Sequence, residues 1–221
     1  MTGQILAVEI LNWDWVGRNL DTVGGRLVEH IVLTLVPVAL GFLFAFPLAL
    51  AAIRWPRLYA PLLGFTGFLF TIPSLALFVL MIPFTGLSVT TAIVPLTLYT
   101  LLILVRNTVE GLNAVPRDVR EAAEAMGYTP LRQLLRVELP LALPVIIAGL
   151  RIATVTTIGL VTITAVIGQG GLGFFFITGF TRSFPTALTV GLTLSVALAV
   201  IADLGLLGVQ RVMTPWQREA A

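Results

Sequence analysis

Two patterns in the sequence use residue types that can do chemistry. Glu121 and Glu124 place two carboxylates one helical turn apart, and residues 168–173 read GQGGLG. A carboxylate pair can act as general acid and base when a pocket holds it against a substrate. A glycine-rich turn between a strand and a helix can bind phosphate through its backbone amides. Both possibilities depend on companion residues elsewhere in the chain.

Neither pattern has the companions that its chemistry requires. Glu121 and Glu124 lie in a charged, helix-forming stretch without a histidine, where solvated side chains are expected. The glycines follow an apolar stretch with no strand signal, and no Gly-Lys-Ser or Gly-Lys-Thr ending appears. The chain has no cysteine and one histidine, which excludes thiolate metal sites and argues against an imidazole cluster. We therefore expect a chain that is not an enzyme and has no cofactor of its own.

Composition predicts an all-α polytopic membrane protein. The chain is 57% hydrophobic and 11% charged, with a mean hydropathy of +1.01. Its 13 basic residues are all arginines and are dispersed among 11 acids, so no nucleic-acid surface is expected. Residues 1–10, MTGQILAVEI, carry no basic residue and include Glu9, so they are not expected to form a signal peptide.

Charge-free stretches predict about five membrane spans. The 23 residues from Ile31 to Ile53 reach roughly 34 Å as a helix, enough to cross a bilayer core of about 30 Å. The 48 residues from Leu58 to Val105 are too long for one crossing, so they must hold two. The predicted spans cover about 31–53, 59–82, 88–109, 141–167 and 185–210, within a permease domain of residues 31–210.

The two ends of the chain are predicted to lie outside these spans. Residues 1–30 mix apolar residues with charges and include Trp13 and Trp15, as an interfacial amphipathic arm would. His30, at the mouth of the first span, is expected to lie at the interface. Residues 211–221 form a short tail.

A charged segment, residues 113–139, is predicted to leave the membrane between the third and fourth spans. Eight charged residues lie between Pro116 and Pro140, a density found nowhere else in the chain. Pro116 suits a first helical turn, and Gly127 suits a left-handed helix cap. Thr129 and Pro130 would start a second short helix, and Pro140 would end it. The segment is therefore expected to be a pair of short helices.

The arginines predict which side of the membrane each loop occupies. If the charged segment is cytoplasmic, the outside carries Arg18, Arg26 and Arg182. The inside then carries Arg54, Arg57, Arg117, Arg120, Arg132, Arg136, Arg211 and Arg218. The positive-inside rule favours this arrangement, with an outside N-terminus and a cytoplasmic C-terminus in the cell (inner) membrane. The run 168–173 would then be extracytoplasmic.

The charged segment resembles the EAA loop of binding-protein-dependent ABC importer permeases. Glu121-Ala122-Ala123 is followed after three residues by Gly127, and after nine more by Val137-Glu138-Leu139-Pro140, where the family pattern has Ile-x-Leu-Pro. Further stretches resemble the osmoprotectant branch, whose members carry glycine betaine, choline or carnitine: TIPSLA at 71–76, RNT at 106–108, ELPLALP at 138–144 and GQGGLG at 168–173.

This resemblance implies a type I importer permease fold in which the loop docks on a separate ATPase. The coupling surface would comprise Glu121, Ala122, Ala123 and Gly127, while Leu139 and Pro140 would set the turn into the fourth span. The implied partners are a cytoplasmic ATPase dimer, which binds ATP and Mg²⁺, a second permease subunit of the same or a homologous chain, an extracytoplasmic substrate-binding protein and the bilayer.

Three features inside the predicted spans could face a translocation path. Thr71, Pro73 and Ser74 mark a break that is either a packed kink or part of the path. Arg151 and Asp203 lie at similar depth, so we expect them to pair, as a structural tie or as a gate. The fourth span has a threonine face that either packs helices or lines the path. Its members are Thr154, Thr157, Thr162 and Thr164.

Two other transporter readings stay open at this point. A permease for another small solute, such as methionine or a polar amino acid, would share the EAA loop. An ion-coupled secondary transporter belongs to a different class and would usually show internal repeats and midplane ionisable residues, neither of which is evident. Stimulation of the assembled ATPase by quaternary amines would separate the first reading from the osmoprotectant one.

Overall fold

The computed structural model describes residues 11–218, and this part of the chain is helical without any strand. The all-α fold class is confirmed. The helices are α1 (Trp13–Arg18), α2 (Leu20–Arg54), α3 (Tyr59–Thr71), α4 (Ser74–Thr85), α5 (Val89–Asn113), α6 (Arg117–Ala125), α7 (Pro130–Gln133), α8 (Leu139–Ile163), α9 (Gly173–Thr181) and α10 (Pro185–Met213). A π-helical turn, Leu134–Glu138, joins α7 to α8, and short 3₁₀ turns cover Pro56–Leu58, Thr164–Ile167 and Pro215–Arg218.

Four helical segments in the described residues are long and apolar enough to cross a membrane. They are α2, α5, the continuous run Pro130–Ile167 and α10. A fifth candidate is the pair formed by Pro56–Thr71 and Ser74–Thr85, whose halves meet at a bend of 94°. The expected number of about five spans is confirmed when this bent pair counts as one span.

Helix α5 lies at the centre of the bundle, packed against α2, α8, α3 and α4. Its closest neighbour is α2, which presents Ala45, Ala49 and Ala52 to Leu104 and Val105 of α5. Small residues let two backbones approach closely, which is how helices associate in a membrane where apolar burial gives no advantage over lipid.

At the break between α3 and α4, side-chain hydroxyls donate hydrogen bonds to two backbone carbonyls. Pro73 cannot donate to the preceding turn, and Ile72 adopts an extended ψ of 128°. The Tyr99 hydroxyl of α5 donates to the Ile72 carbonyl at 2.6 Å, and the Thr71 hydroxyl donates to the Phe68 carbonyl at 2.7 Å. The break predicted within the span 59–82 is present, because the chain turns at Ile72 and the two halves meet at 94°.

The predicted arm over residues 1–30 is wrong in its end point: residues 13–18 form the separate helix α1, but residues 20–30 do not belong to an arm. Helix α2 begins at Leu20, so residues 20–30 continue the first span. Arg26 and Glu29 pair at 2.7 Å, one turn apart, which lets a charged stretch extend the helix. Trp15 contacts other residues of the protein, and its ring packs edge-on against that of Phe184 with centroids 5.2 Å apart. Glu9 lies outside the described residues.

The first half of the charged segment folds as predicted. Helix α6 follows Pro116 and ends before Gly127, whose φ is +78°. The Tyr128 amide donates to the Ala123 carbonyl at 3.1 Å, and the Gly127 amide donates to the Glu124 carbonyl at 2.9 Å. These two bonds form the Schellman cap that a left-handed glycine allows.

The second half of the charged segment differs from the prediction. Pro140 does not end a helix, because α7, the π-helical turn and α8 run on as one helical segment from Pro130 to Ile167. The Leu139 amide donates to the Leu134 carbonyl, five residues back, so the helix widens immediately before the proline that lacks an amide hydrogen. Leu139 and Pro140 therefore lie within a helix, and the turn assigned to them is absent.

The α2–α5 contact yields a first prediction. At Gly41 an added Cβ would lie 1.8 Å from the Thr100 hydroxyl oxygen, which donates to the Thr97 carbonyl. Gly41→Ala should therefore lower stability by about 1–3 kcal/mol through overpacking. Gly64→Ala is the matched control, since no atom lies within 4 Å of its added Cβ. It should be neutral or stabilising by up to about 1 kcal/mol. Thermal unfolding in detergent measures both, and equal midpoints would contradict the close approach.

Candidate functional site

The charged segment and the ends of two spans form one end of the bundle. An open groove of about 500 Å³ lies between the last turns of α2 and the charged segment. The groove is lined by Leu50, Ile53, Arg54, Glu124, Tyr128, Pro130, Gln133, Leu134 and Glu138. Leu139 packs on a cluster of Leu112, Ala142 and Ile146, which joins α5 to α8 at the same end.

Helix α6 divides the predicted coupling residues into a buried and an exposed set. Ala123 is 1% exposed because α6 packs against α7 and the π-helical turn, a contact within the chain that the sequence did not indicate. Glu121, Ala122 and Gly127 are exposed, and Met126 beside them is 69% exposed. The exposed face of α6 therefore carries small or apolar residues at its centre and a charged residue at its edge.

A polar network that the sequence analysis missed holds α6 to the bundle. Arg120 Nη2 donates to the Leu112 carbonyl in the last turn of α5. Arg120 Nε lies 3.6 Å from Glu138 Oε1, and Gln133 Nε2 donates to the same oxygen at 2.9 Å. The sequence held one signal for this network, the opposite charges of Arg120 and Glu138 near the two ends of the charged segment. Their separation in the sequence alone could not show that they meet.

Arg151 and Asp203 form the ion pair that their depth in the sequence predicted. Arg151 Nε donates to Asp203 Oδ1 and Nη2 donates to Oδ2, both at 2.8 Å. This two-bond geometry is the strongest that a guanidinium and a carboxylate form. The side chains are 26% and 34% exposed in the isolated chain.

The ion pair lines a groove of about 620 Å³ between α8 and α10. Its other walls are mainly apolar and are formed by Ala148, Ile152, Val155, Thr156, Ala199, Val200 and Leu204. A partly exposed ion pair in contact with lipid chains would be costly. We therefore expect this face to border water or another protein chain in the membrane.

The remaining path candidates are placed apart from this groove. Thr71 and Pro73 are exposed and Ser74 is partly buried at the α3–α4 break, and none of them lines the groove. Thr157 and Thr164 are buried, and their hydroxyls donate to the Ala153 and Val161 carbonyls of their own helical segment. Of the two roles considered for the threonine face, this geometry favours helix packing at these two positions.

His30 is buried at the other end of the bundle, so its predicted interfacial position is wrong. Its Nδ1 accepts a hydrogen bond from the Leu172 amide at 3.2 Å, and its Nε2 faces the Ile158 carbonyl at 3.1 Å. A neutral ring protonated on Nε2 satisfies both partners at once. Glu29 Oε1 accepts from the Gly170 amide at 3.1 Å. Residues 29 and 30 of α2 therefore hold the glycine-rich run.

Two glycines of this run are required by close approaches, one to α2 and one to the 3₁₀ turn Thr164–Ile167. Gly171 has a φ of +46°, and an added Cβ would lie 2.6 Å from the His30 backbone nitrogen. Gly170 has a φ of +142°, and its added Cβ would lie 2.3 Å from the Ala165 nitrogen. Backbone packing accounts for the GQGGLG pattern. In the described residues no cluster of His, Cys, Asp or Glu could hold a metal ion.

Comparison with known proteins identifies one family. Residues 34–217 match the family described as binding-protein-dependent transport system inner membrane component. The osmoprotectant import permease protein OsmW of Salmonella typhimurium is 40% identical over 210 residues, covering 91% of this chain and 98% of that protein. The choline transport system permease protein OpuBB of Bacillus subtilis is 37% identical over 200 residues, covering 89% and 92%.

A solved structure shares the fold. The inward-facing MetNI methionine ABC transporter aligns with a TM-score of 0.81 at 26% identity, over 89% of this chain and 98% of the aligned chain. The type I permease architecture expected from the sequence is therefore confirmed.

The ion pair yields a second prediction. Arg151→Met or Asp203→Leu alone should lower the thermal midpoint by several degrees, because each leaves one charge without its partner inside the membrane. The double variant Arg151→Met, Asp203→Leu should be more stable than either single variant, since it removes both charges. Thermal unfolding in detergent provides the measurement. Additive losses in the double variant would show that the two residues do not act as a pair.

Proposed function

Because the chain belongs to the family of binding-protein-dependent transport system inner membrane components, we propose that it is the membrane-spanning permease subunit of an ABC importer for small quaternary-ammonium osmoprotectants. Substrates of this class include glycine betaine, choline and carnitine. The observation that carries the proposal is the near full-length similarity to permeases whose names specify osmoprotectants and choline. The residues matched include all the helices that could cross a membrane except the first turns of α2.

ATP hydrolysis is assigned to a separate cytoplasmic ATPase dimer, which binds ATP and Mg²⁺. The docking surface on this chain is Glu121, Ala122 and Gly127, with Ala123 supporting it from beneath. Closure of the ATPase dimer would displace α6 and the adjoining α7. Because α7 continues through Leu139 and Pro140 into α8, this displacement would be carried along one helical segment to Arg151, about 30 Å away.

The second permease subunit and the path are assigned to the α8–α10 face. This face carries the partly exposed ion pair, which needs water or protein against it. Arg151 and Asp203 neutralise each other, so a passing quaternary amine meets no unpaired carboxylate that would hold it. Translocation requires such weak binding. Whether the pair also opens as a gate is part of the proposal.

The sidedness of the chain follows from the same assignment. The charged segment and the ends of α2 and α5 are cytoplasmic, and the opposite end carries α1, the glycine-rich run and α9. A substrate-binding protein would dock on that outer end. Most of the 13 arginines lie on the proposed inner side, which supports this orientation.

A methionine importer is the second candidate because of the shared fold with the MetNI transporter. The similarity to that structure is lower in sequence identity than the similarity to the osmoprotectant permeases. Fold alone does not select a substrate, since the binding protein delivers it. The two candidates are therefore separated by transport measurements.

Uptake assays give a third prediction. The complete complex, with its ATPase and binding protein, should take up radiolabelled choline, glycine betaine or carnitine into proteoliposomes only when ATP is present. ATP hydrolysis should rise on addition of at least one of these compounds and should not respond to methionine. Stimulation by methionine alone would assign the chain to the second candidate, and ATP-independent uptake driven by an ion gradient would indicate a secondary transporter.

The coupling surface gives a fourth prediction. Ala122→Trp adds bulk on the exposed face of α6, so it should block ATPase docking while leaving the fold intact. Ala123 and Gly127 are less suitable sites, because Ala123 is buried and Gly127 has a positive φ, so substitution there also strains the fold. Co-purification of the ATPase with tagged permease measures docking.

Thr181→Trp is the control for this prediction. Thr181 is exposed in α9, at the opposite end of the bundle, and its hydroxyl bonds only within its own helix. The added bulk there cannot touch an ATPase docked on α6, so co-purification should be retained. Full retention of the ATPase by the Ala122→Trp variant would place docking elsewhere.

A further inference from the structure

Three helical segments meet at the carboxylate of Glu138, within the π-helical turn. Gln133 of α7 donates to Glu138 Oε1 at 2.9 Å, and Arg120 of α6 lies 3.6 Å from the same oxygen. The other arm of the Arg120 guanidinium donates to the Leu112 carbonyl, at the end of α5. One arginine and one glutamate thus connect α5, α6 and the start of the helical run that contains α8.

The Arg120 contact to α5 adds a second donor to a carbonyl in the last turn of the helix, since the Leu112 carbonyl also accepts from the Val115 amide at 3.3 Å. Carbonyls in the last turn of a helix have no partner within the helix, and a guanidinium can bond them. Arg120 therefore fixes α6 to the end of the central helix of the bundle. Its side chain is 30% exposed and that of Glu138 is 18% exposed, so water screens this link less than it screens the fully exposed pairs of the segment.

The Arg120–Glu138 link is not fully closed in this structure. Arg120 Nε is buried and has no hydrogen-bond partner, and its nearest carboxylate oxygen is the one at 3.6 Å. A buried donor without an acceptor is unfavourable. A small shift of α6 toward the π-helical turn would bring this donor into hydrogen-bond range.

We propose that Arg120 and Glu138 are a positioning pair that transmits movement of α6 to α5 and α8 during the transport cycle. This inference rests on the proposed function, because it assumes that an ATPase displaces α6. Neither residue acts on the transported molecule. The pair makes α6, α5 and the π-helical turn move together when the ATPase displaces α6.

The pair lies outside the pattern that identified the charged segment. Arg120 precedes Glu121-Ala122-Ala123, and Glu138 occupies the variable position between Val137 and Leu139. The neighbouring pair of Arg117 and Glu121 cannot serve the same purpose, because both residues belong to α6 and are strongly exposed. A link between elements needs partners on different elements, which Arg120 and Glu138 provide.

The test uses the complete complex in proteoliposomes and measures choline or glycine betaine uptake per ATP hydrolysed. Arg120→Gln and Glu138→Gln should each lower this ratio by about 10-fold, a mid-range value for coupling carried by a packed network. ATPase co-purification should be unchanged. The double variant should be no worse than either single variant, because each substitution already breaks the same link.

Arg106→Gln is the matched control. Arg106 pairs with Glu110 at 2.7 Å within α5, so its removal deletes an arginine–glutamate bond that joins no two elements. The ratio of uptake to ATP hydrolysed in the Arg106→Gln variant should match that of the parent complex. The inference is overturned if Arg120→Gln behaves like Arg106→Gln, or if the losses of the two single variants multiply in the double variant.

A chemical cross-link supplies a second measurement that does not depend on comparing variants. The chain has no cysteine, so Arg120→Cys with Glu138→Cys creates one addressable pair. Before treatment, this variant should show the lowered ratio of uptake to ATP hydrolysed. The ratio should recover when a short bis-maleimide joins the two thiols. No recovery by the joined species would overturn the inference. If the parent complex shows no ATP-dependent uptake, the proposed function itself fails, which is a distinguishable result.

Discussion

The hydrocarbon core of a bilayer offers no water to unpaired polar groups, and this constraint explains the irregular parts of the chain. At the α3–α4 break the free Ile72 carbonyl is bonded by Tyr99 from a neighbouring helix. In the fourth span the Arg151 charge is met by Asp203 from α10. His30, buried against the glycine-rich run, bonds one amide and faces one carbonyl. Each irregular position thus forms a contact between elements.

These contacts also show which elements are joined at each end of the bundle. Glu29 and His30 attach the glycine-rich run to α2, so the outer ends of α2, α8 and α9 are held together. At the other end α6 reaches the bundle through Arg120, the buried Ala123 and its packing on α7. If a partner pushes on α6, as proposed, a bundle that is fixed at the opposite end can respond without losing its core.

The sequence predicted the features that depend on local chemistry. Charge-free lengths gave the number of spans, and Pro116 and Gly127 gave the bounds of α6. The pairing of Arg151 with Asp203 followed from similar depth and opposite charge. Features that depend on tertiary neighbours were missed: His30 reads as an interfacial residue until the glycine-rich run is seen to fold back over it. Pro140 reads as a helix end because a sequence does not show that a π-helical turn can precede it.

The continuity of the run from Pro130 to Ile167 changes how the inner end can act on the membrane part. Two short helices separated from α8 by a turn would let the charged segment tilt without moving the span, since a turn absorbs rotation. A π-helical turn keeps the chain helical while widening it by one residue, so force applied at α7 passes into α8. The same turn carries Glu138, so the link to α6 and the link to α8 share one element. In the proposed coupling, transmission would therefore depend on the π-helical turn staying formed.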